Sequence, residues 1–183
     1  MWRKGERLRV VEIANKFPRV EAVLASIKEK YEYVGKTFSI VVPEKIEQII
    51  EEGQALKHCL DRSDRYFERI ANQESYIVFL RRTKAMEQPY YTLEIEPDGT
   101  TRQKRTVGDN QNNDYHRAEK FLKKWQAAIR PRLSQEDFER QEISRQLRMY
   151  ELESLRNDKV TVHGGIHAGE LLADILEADL MEA

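Results

Sequence analysis

His58 and Cys59, adjacent in the chain, are the residues whose types most directly invite covalent chemistry. An imidazole beside a thiol lowers the thiol's pKa and raises the population of thiolate, the competent nucleophile. Neighbours on a helix point about 100° apart, so His58 is badly aimed at Cys59, and the distant His116 is the alternative base. The competing reading takes Cys59 as a small buried hydrophobe and His58 as a hydrogen-bonding partner of a backbone group or a carboxylate. A metal centre needs several converging ligands. His163 and His167 offer two imidazoles, but Gly164 and Gly165 between them do not hold both on one rigid face, and no cysteine pair adds to them. Neither a metal nor a cofactor is expected.

Carboxylates and cations offer other chemistry. Arg81 ends an otherwise apolar run, where a guanidinium is costly unless paired, and Glu94 is the expected bidentate partner. Arg81 with Glu94-Ile95-Glu96 resembles the arginine and Glu-x-Glu arrangement of ADP-ribosyltransferases. There the acid orients a ribose and stabilises an oxocarbenium-like centre, although the Ser-Thr-Ser-like strand that accompanies it is absent here. The plainer alternative is a solvated strand face whose glutamates pair across strands with Arg102 or Lys104.

Charge is distributed unevenly. Residues 100–132 hold nine bases, Arg102, Lys104, Arg105, Arg117, Lys120, Lys123, Lys124, Arg130 and Arg132, against three acids. Residues 151–183 hold eight acids against two bases. A basic hairpin followed by a basic helix can grip phosphates, so Arg102, Arg105, Lys120, Lys123 and Lys124 are candidate contacts to DNA or RNA. The alternative is that the acidic tail docks on the basic face. No helix-turn-helix or RNA-binding signature accompanies the cations.

The elements that must position these groups can be read from hydrophobic periodicity. Val20, Val23, Leu24, Ile27 and Tyr31 recur at helical spacing after Pro18. Phe38–Val42 is a short β-branched run. Pro43 opens a helix through Ile46, Ile49 and Ile50, with Gly53 expected as its C-terminal cap, and a further helix is expected from Ala55 to Ile70, interrupted near Asp61. Tyr76–Arg82 reads as a strand apolar on both faces, and Tyr90–Glu96 as a strand that alternates. The turn signal Pro97-Asp98-Gly99 joins it to a returning strand, Thr101–Val107. A helix follows from Asp114 to Pro131 along Ala118, Leu122, Trp125 and Ile129. Ser134 and Asp137 look like the start of a charged helix, a surface helix or an oligomer seam, and Glu170–Met181 is a last amphipathic helix.

The expected fold class is α+β: a three- or four-stranded antiparallel sheet covered by helices on one face, with helical extensions at both ends. It divides into an N-terminal helical segment (1–37), an α+β core (38–130) and charged helices with an acidic tail (131–183). The 183 residues, 40% hydrophobic and 34% charged, suffice for one domain with a core. No apolar run approaches the roughly 20 residues of a spanning helix, and no apolar segment backs the basic N-terminus as in a secretory signal. The single cysteine precludes an internal disulfide and suits a reducing compartment, so a cytoplasmic location without membrane partners is expected.

The segment Gly53 to Cys59 carries a resemblance to a known family. Its Gly-x-x-Leu-x-His-Cys element falls on Gly53, Leu56, His58 and Cys59, and Tyr66, Leu80-Arg81, Pro89, Thr92, Glu94, Gln103, Gly108 and Asn110 follow in order. In these positions the chain resembles the PcfJ-like proteins of conjugative plasmids and related mobile elements, over roughly residues 38–128. Asp61-Arg62 stand where a glycine is usual, and the region ahead of the domain is shorter than in family members, so upstream functions are expected to be missing. The resemblance implies a mobile-element setting, with other mobile-element proteins as partners, and no particular reaction. It also implies that His58, Arg81, Glu94, Gln103 and Asn110 form one constellation. Two functions therefore stand: an accessory protein that binds nucleic acid or a protein partner through its basic face, and an enzyme built on that constellation.

Overall fold

In the computed structural model, which describes residues 4–57, 63–107 and 114–183, the apolar and β-branched runs become a five-stranded antiparallel sheet. The strands are β1 (Tyr33–Val34), β2 (Phe38–Val41), β3 (Tyr76–Arg82), β4 (Tyr91–Ile95) and β5 (Thr101–Arg105), paired in chain order. The last three are consecutive neighbours, as the brief turn after β4 requires. The sheet has five strands rather than three or four because two-residue β1 also pairs with β2. Gly99 makes the β4–β5 turn possible: its φ is +92°, and a Cβ there would stand 2.9 Å from the Ile129 side chain.

Seven α-helices accompany the sheet among the described residues: α1 (Lys4–Lys16), α2 (Val20–Tyr31), α3 (Ile46–Leu56), α4 (Asp64–Ala71), α5 (Tyr115–Ile129), α6 (Gln135–Asn157) and α7 (Leu172–Asp179). The stripe Val20, Val23, Leu24, Ile27 and Tyr31 of α2 is buried throughout. Gly53 lies buried inside α3 and does not cap it; the helix runs on to bury Leu56 and turns at Lys57, φ 53°. Ser63 caps α4 by accepting from Arg65 N, and Ser134 and Asp137 satisfy each other's backbone N–H groups at the start of α6.

Both faces of the sheet are covered, not one. On one face Tyr76, Val78, Leu80, Tyr91, Leu93 and Ile95 are buried together with Leu122, Trp125 and Ile129 of α5. The Trp125 indole N–H donates to Tyr31 O at 2.8 Å, and Phe121 meets Phe38 with ring centres 5.6 Å apart. The other face is met by α3, α4 and α6, and it holds charge as well as Ile77 and Phe79.

α6 docks in reverse of an ordinary amphipathic helix. Ile143, Leu147 and Tyr150 of its apolar stripe are exposed, while Ser144 and Arg148 are buried against the sheet. The last strand is finished by the chain's end: Thr101 and Met181 exchange both backbone hydrogen bonds at 2.9 Å.

Candidate functional site

Alternation along β4 places Thr92, Glu94 and Glu96 on one side and Tyr91, Leu93 and Ile95 on the other, but the polar side is not solvated. Glu94 and Glu96 are both 0% exposed. A β-bulge opposite Glu94 and Ile95 inserts Arg102 as an extra residue of β5, so Arg102 and Gln103 both reach the acids. α4 supplies Arg69 and α6 supplies Arg148.

The hydrogen bonds account for the burial. Glu94 Oε2 accepts from Arg69 Nη1 at 2.9 Å and from the Ser75 hydroxyl at 2.6 Å, while Oε1 accepts from Gln103 at 3.0 Å. Glu96 accepts from Arg102 Nε at 2.5 Å, from Arg148 Nε at 2.7 Å and from Gln141 Nε2 at 2.7 Å. Arg69 reaches on to Glu151 of α6, and Arg102 Nη2 to Glu74 at 3.2 Å and to Ser144 at 3.0 Å. Burial pushes the Glu94 carboxyl up, and Arg69 and Arg102, with the Ser75 hydrogen bond, more than offset that and hold it below the ordinary glutamate value.

Arg81 does not join this cluster. Register sets Ile77, not Arg81, opposite Glu94, and Arg81 lies four residues further along β3, about 13 Å away at ~3.3 Å per residue. Its bidentate partner is the buried Glu52 of α3, with the second contact at 2.7 Å, and its Nε donates to Met86 O. The expected Arg81–Glu94 pair is therefore corrected to Arg81–Glu52. Of the implied constellation the structure brings together Glu94 and Gln103, while His58 and Asn110 lie outside the described residues, as does Cys59. Glu94 is enclosed by Arg69, Ser75 and Gln103. Among the described residues no group of three or more His, Cys, Asp or Glu is placed to hold a metal, and no helix is long and apolar enough to cross a membrane.

The candidate phosphate contacts separate into two classes. Arg102 is 5% exposed and committed to Glu96 and Glu74; Lys104, on the other face, and Arg105 pair with Asp179 at 3.2 and 2.7 Å. The expected partnership of Lys104 with the strand glutamates gives way to this one because Lys104 stands opposite Leu93, not Glu94. On α5, Arg117, Lys120, Lys123 and Lys124 are exposed, and Lys123 donates to Glu182 O at 2.6 Å. Arg117, Lys120 and Lys124 fall at i, i+3 and i+7, one stripe of the helix away from the core residues Ala118, Leu122 and Trp125. None of these three enters an ion pair within the described residues.

The groups that sequence reasoning missed are Arg69, Arg148, Glu52 and Asp179. A signal existed for α6: Gln141, Ser144, Arg148 and Glu151 recur at i, i+3, i+7 and i+10, a polar stripe with the periodicity of a buried face. No curated protein and no solved structure matches the chain. The family of PcfJ-like proteins matches residues 6–120, more than half of the sequence and inclusive of α1 and α2, as well as the β3–β4–β5 meander with the Glu94–Gln103 pair. The chain belongs to the PcfJ-like protein family.

Proposed function

We propose that this protein is a mobile-element accessory protein that binds the phosphate backbone of nucleic acid through the exposed cations of α5. The observation that carries the reading is the stripe of Arg117, Lys120 and Lys124, exposed and outside any ion pair among the described residues, on a helix whose opposite side is anchored in the core by Leu122, Trp125 and Ile129. Long cations held on a rigid element, outside any ion pair among the described residues, suit a polyanion, whose bound counterions they release. The hairpin cations contribute less than their number suggests, because Arg102 is sealed under α6. Glu94 and Glu96 then serve to fasten α4 and α6 to the sheet.

A labelled duplex oligonucleotide titrated at several salt concentrations tests this reading. Binding should weaken with salt, and each cation removed should flatten the log–log slope by about 0.9 on duplex or about 0.7 on a single strand. The substitutions Lys120→Glu and Lys124→Glu should abolish most of the affinity and leave the melting temperature almost unchanged, because both side chains are exposed. Failure to bind at low salt, or binding indifferent to both reversals, overturns the proposal.

A further inference from the structure

The last twelve residues, 172–183, lie against the same basic region and copy the chemistry of its proposed ligand. Asp179 Oδ2 accepts from the Lys104 backbone N–H at 2.8 Å and from Arg105 Nη1 at 2.7 Å, and the Lys104 ammonium meets both the side chain and the backbone carbonyl of Asp179. Met181 pairs with Thr101 as a short added strand. Glu182 O accepts from Lys123, and Met181 O from Gln126, both on α5. A carboxylate and a row of backbone oxygens thus occupy the cations and donors that line the groove between the sheet edge and α5.

The attachment is mixed: Met181 joins the hydrophobic core, while Asp179 and Glu182 hold on through polar contacts. Leu172, Ile175, Leu176 and Leu180 are each only partly buried, and Ala173, Asp179 and Met181 are the residues of the segment that are buried. Lys104 is 1% exposed beneath it. A lysine permanently sealed there gains nothing over a packed apolar side chain, whereas a lysine that is periodically uncovered keeps its charge for use. Residues 163–170 are all exposed, but α7 is tied back to the end of α6 by the Thr161–Leu171 bridge, by Leu172 N–H donating to Val160 O and by Arg156 with Asp174 and Glu177, so the part of the segment that can lift is the stretch after Glu177.

We propose that the C-terminal segment is an autoinhibitory occupant of the nucleic-acid face, displaced when a phosphate backbone takes Lys104, Arg105 and Lys123. This rests on the α5 reading and extends it: the closed chain offers Arg117, Lys120 and Lys124, the open chain those plus Lys104, Arg105 and Lys123.

A reversible lock on the 183-residue chain tests it with no change in net charge between states. Thr101 and Met181 form a hydrogen-bonded antiparallel pair, with Cα atoms about 5.5 Å apart, inside the range a disulfide spans. The variant Thr101→Cys/Met181→Cys, with Cys59→Ser removing the sole native thiol, is compared oxidised and reduced on a labelled DNA duplex. A parallel Asp179→Asn chain, checked by circular dichroism, weakens the closed state without the lock. The reduced form and Asp179→Asn should bind at least about tenfold tighter at low salt than the oxidised form, with a slope steeper by up to about 2.7, three contacts at ~0.9 each. Equal affinity and slope in the oxidised and reduced forms, both binding, overturns the autoinhibition and leaves α5 standing. No binding by any form removes both readings, and a reduced form that dimerises through its bared strand edge without binding DNA also overturns the proposal.

Discussion

The β4–β5 hairpin carries charge on both sides, and the two sides are built in opposite ways. On one, Glu94 and Glu96 meet Arg69, Arg102 and Arg148, contributed by α4, β5 and α6, with Ser75, Gln103 and Gln141 taking further lone pairs. On the other lies Lys104, and one acid at the outer edge of β5, Asp179, answers both it and Arg105. The first cluster uses only guanidiniums, whose planar forks can satisfy several acceptors at once; the second adds to one guanidinium a lysine, a point charge that tolerates a change of partner. A site made from converging helices is fixed once the protein folds. A site closed by one short, partly buried segment can be reopened, and that contrast locates rigidity on the α4–α6 side and adjustability on the α5–α7 side.

The contrast breaks most visibly if the interior cluster is damaged. Glu94→Ala leaves Arg69, Ser75 and Gln103 without their shared acceptor, and the expected cost is about 3–5 kcal/mol, the penalty for stranding a buried charge. Urea denaturation at neutral pH reads it. Because Glu94 is held below the ordinary glutamate value, its contribution is present above pH 4.5 and is lost as pH falls through its depressed folded value, so the gap between native and variant should close in acid. A variant as stable as the native chain but unable to bind nucleic acid would return Glu94 to the list of functional groups.

A smaller effect is expected at Arg81 and Glu52, a buried bidentate pair that stands alone instead of in a network. Glu52→Leu alone should cost about 3 kcal/mol, and the double replacement Glu52→Leu/Arg81→Leu should recover most of it, since a buried pair exchanged for apolar side chains is often neutral. A double-mutant cycle in urea measures the coupling. If the double variant stays as unstable as the single one, the Arg81 donation to Met86 O and its stacking over Phe79, 4.8 Å from the ring centre, carry the stability instead.

How far this architecture was legible depends on which residues held the information. The alternation of Tyr91, Leu93 and Ile95 with Thr92, Glu94 and Glu96 identified β4 and its two faces, and the turn before Thr101 identified an antiparallel hairpin. Whether the acid face met water could not follow from β4 itself, because its partners lie in α4 and α6, 25 and 52 residues away for Arg69 and Arg148. Gly53 illustrates a local rule overridden by burial: the stripe continued to Leu56, and the helix followed it. The natural guess that Arg81 pairs with Glu94 failed on register, which pattern alone does not set. The docking of an acidic tail on basic residues was readable as a possibility from composition, but the residue that does it, Asp179, was not singled out, because nothing in its neighbourhood distinguishes it from seven other acids of the tail.

The smallest expected effect tests the adjustable side. Burial pushes the Lys104 ammonium below the ordinary lysine value, against the pull of Asp179, with Glu119 adding to that pull and Arg105 opposing it. For a base depressed in the folded state, the charged form costs stability at neutral pH, and the cost is relieved as pH rises through the folded value toward 10.5. Because Asp179 keeps Arg105 and the backbone N–H of residue 104, Lys104→Met should change neutral-pH stability by about 1 kcal/mol, short of the roughly 3–5 kcal/mol of a stranded buried charge, while abolishing a rise in relative stability on the alkaline side. Asp179→Asn removes the group that holds the proton on Lys104, so the same rise should begin at lower pH. The measurement is the difference in urea midpoint between native and variant across neutral to alkaline pH, which cancels the titration of lysines and tyrosines elsewhere. A flat difference curve for Lys104→Met would mean that Lys104 already meets water in solution, with the C-terminal segment open for much of the time. Oxidising the Thr101→Cys/Met181→Cys lock should then restore the curvature, because closing the segment returns Lys104 to its buried position.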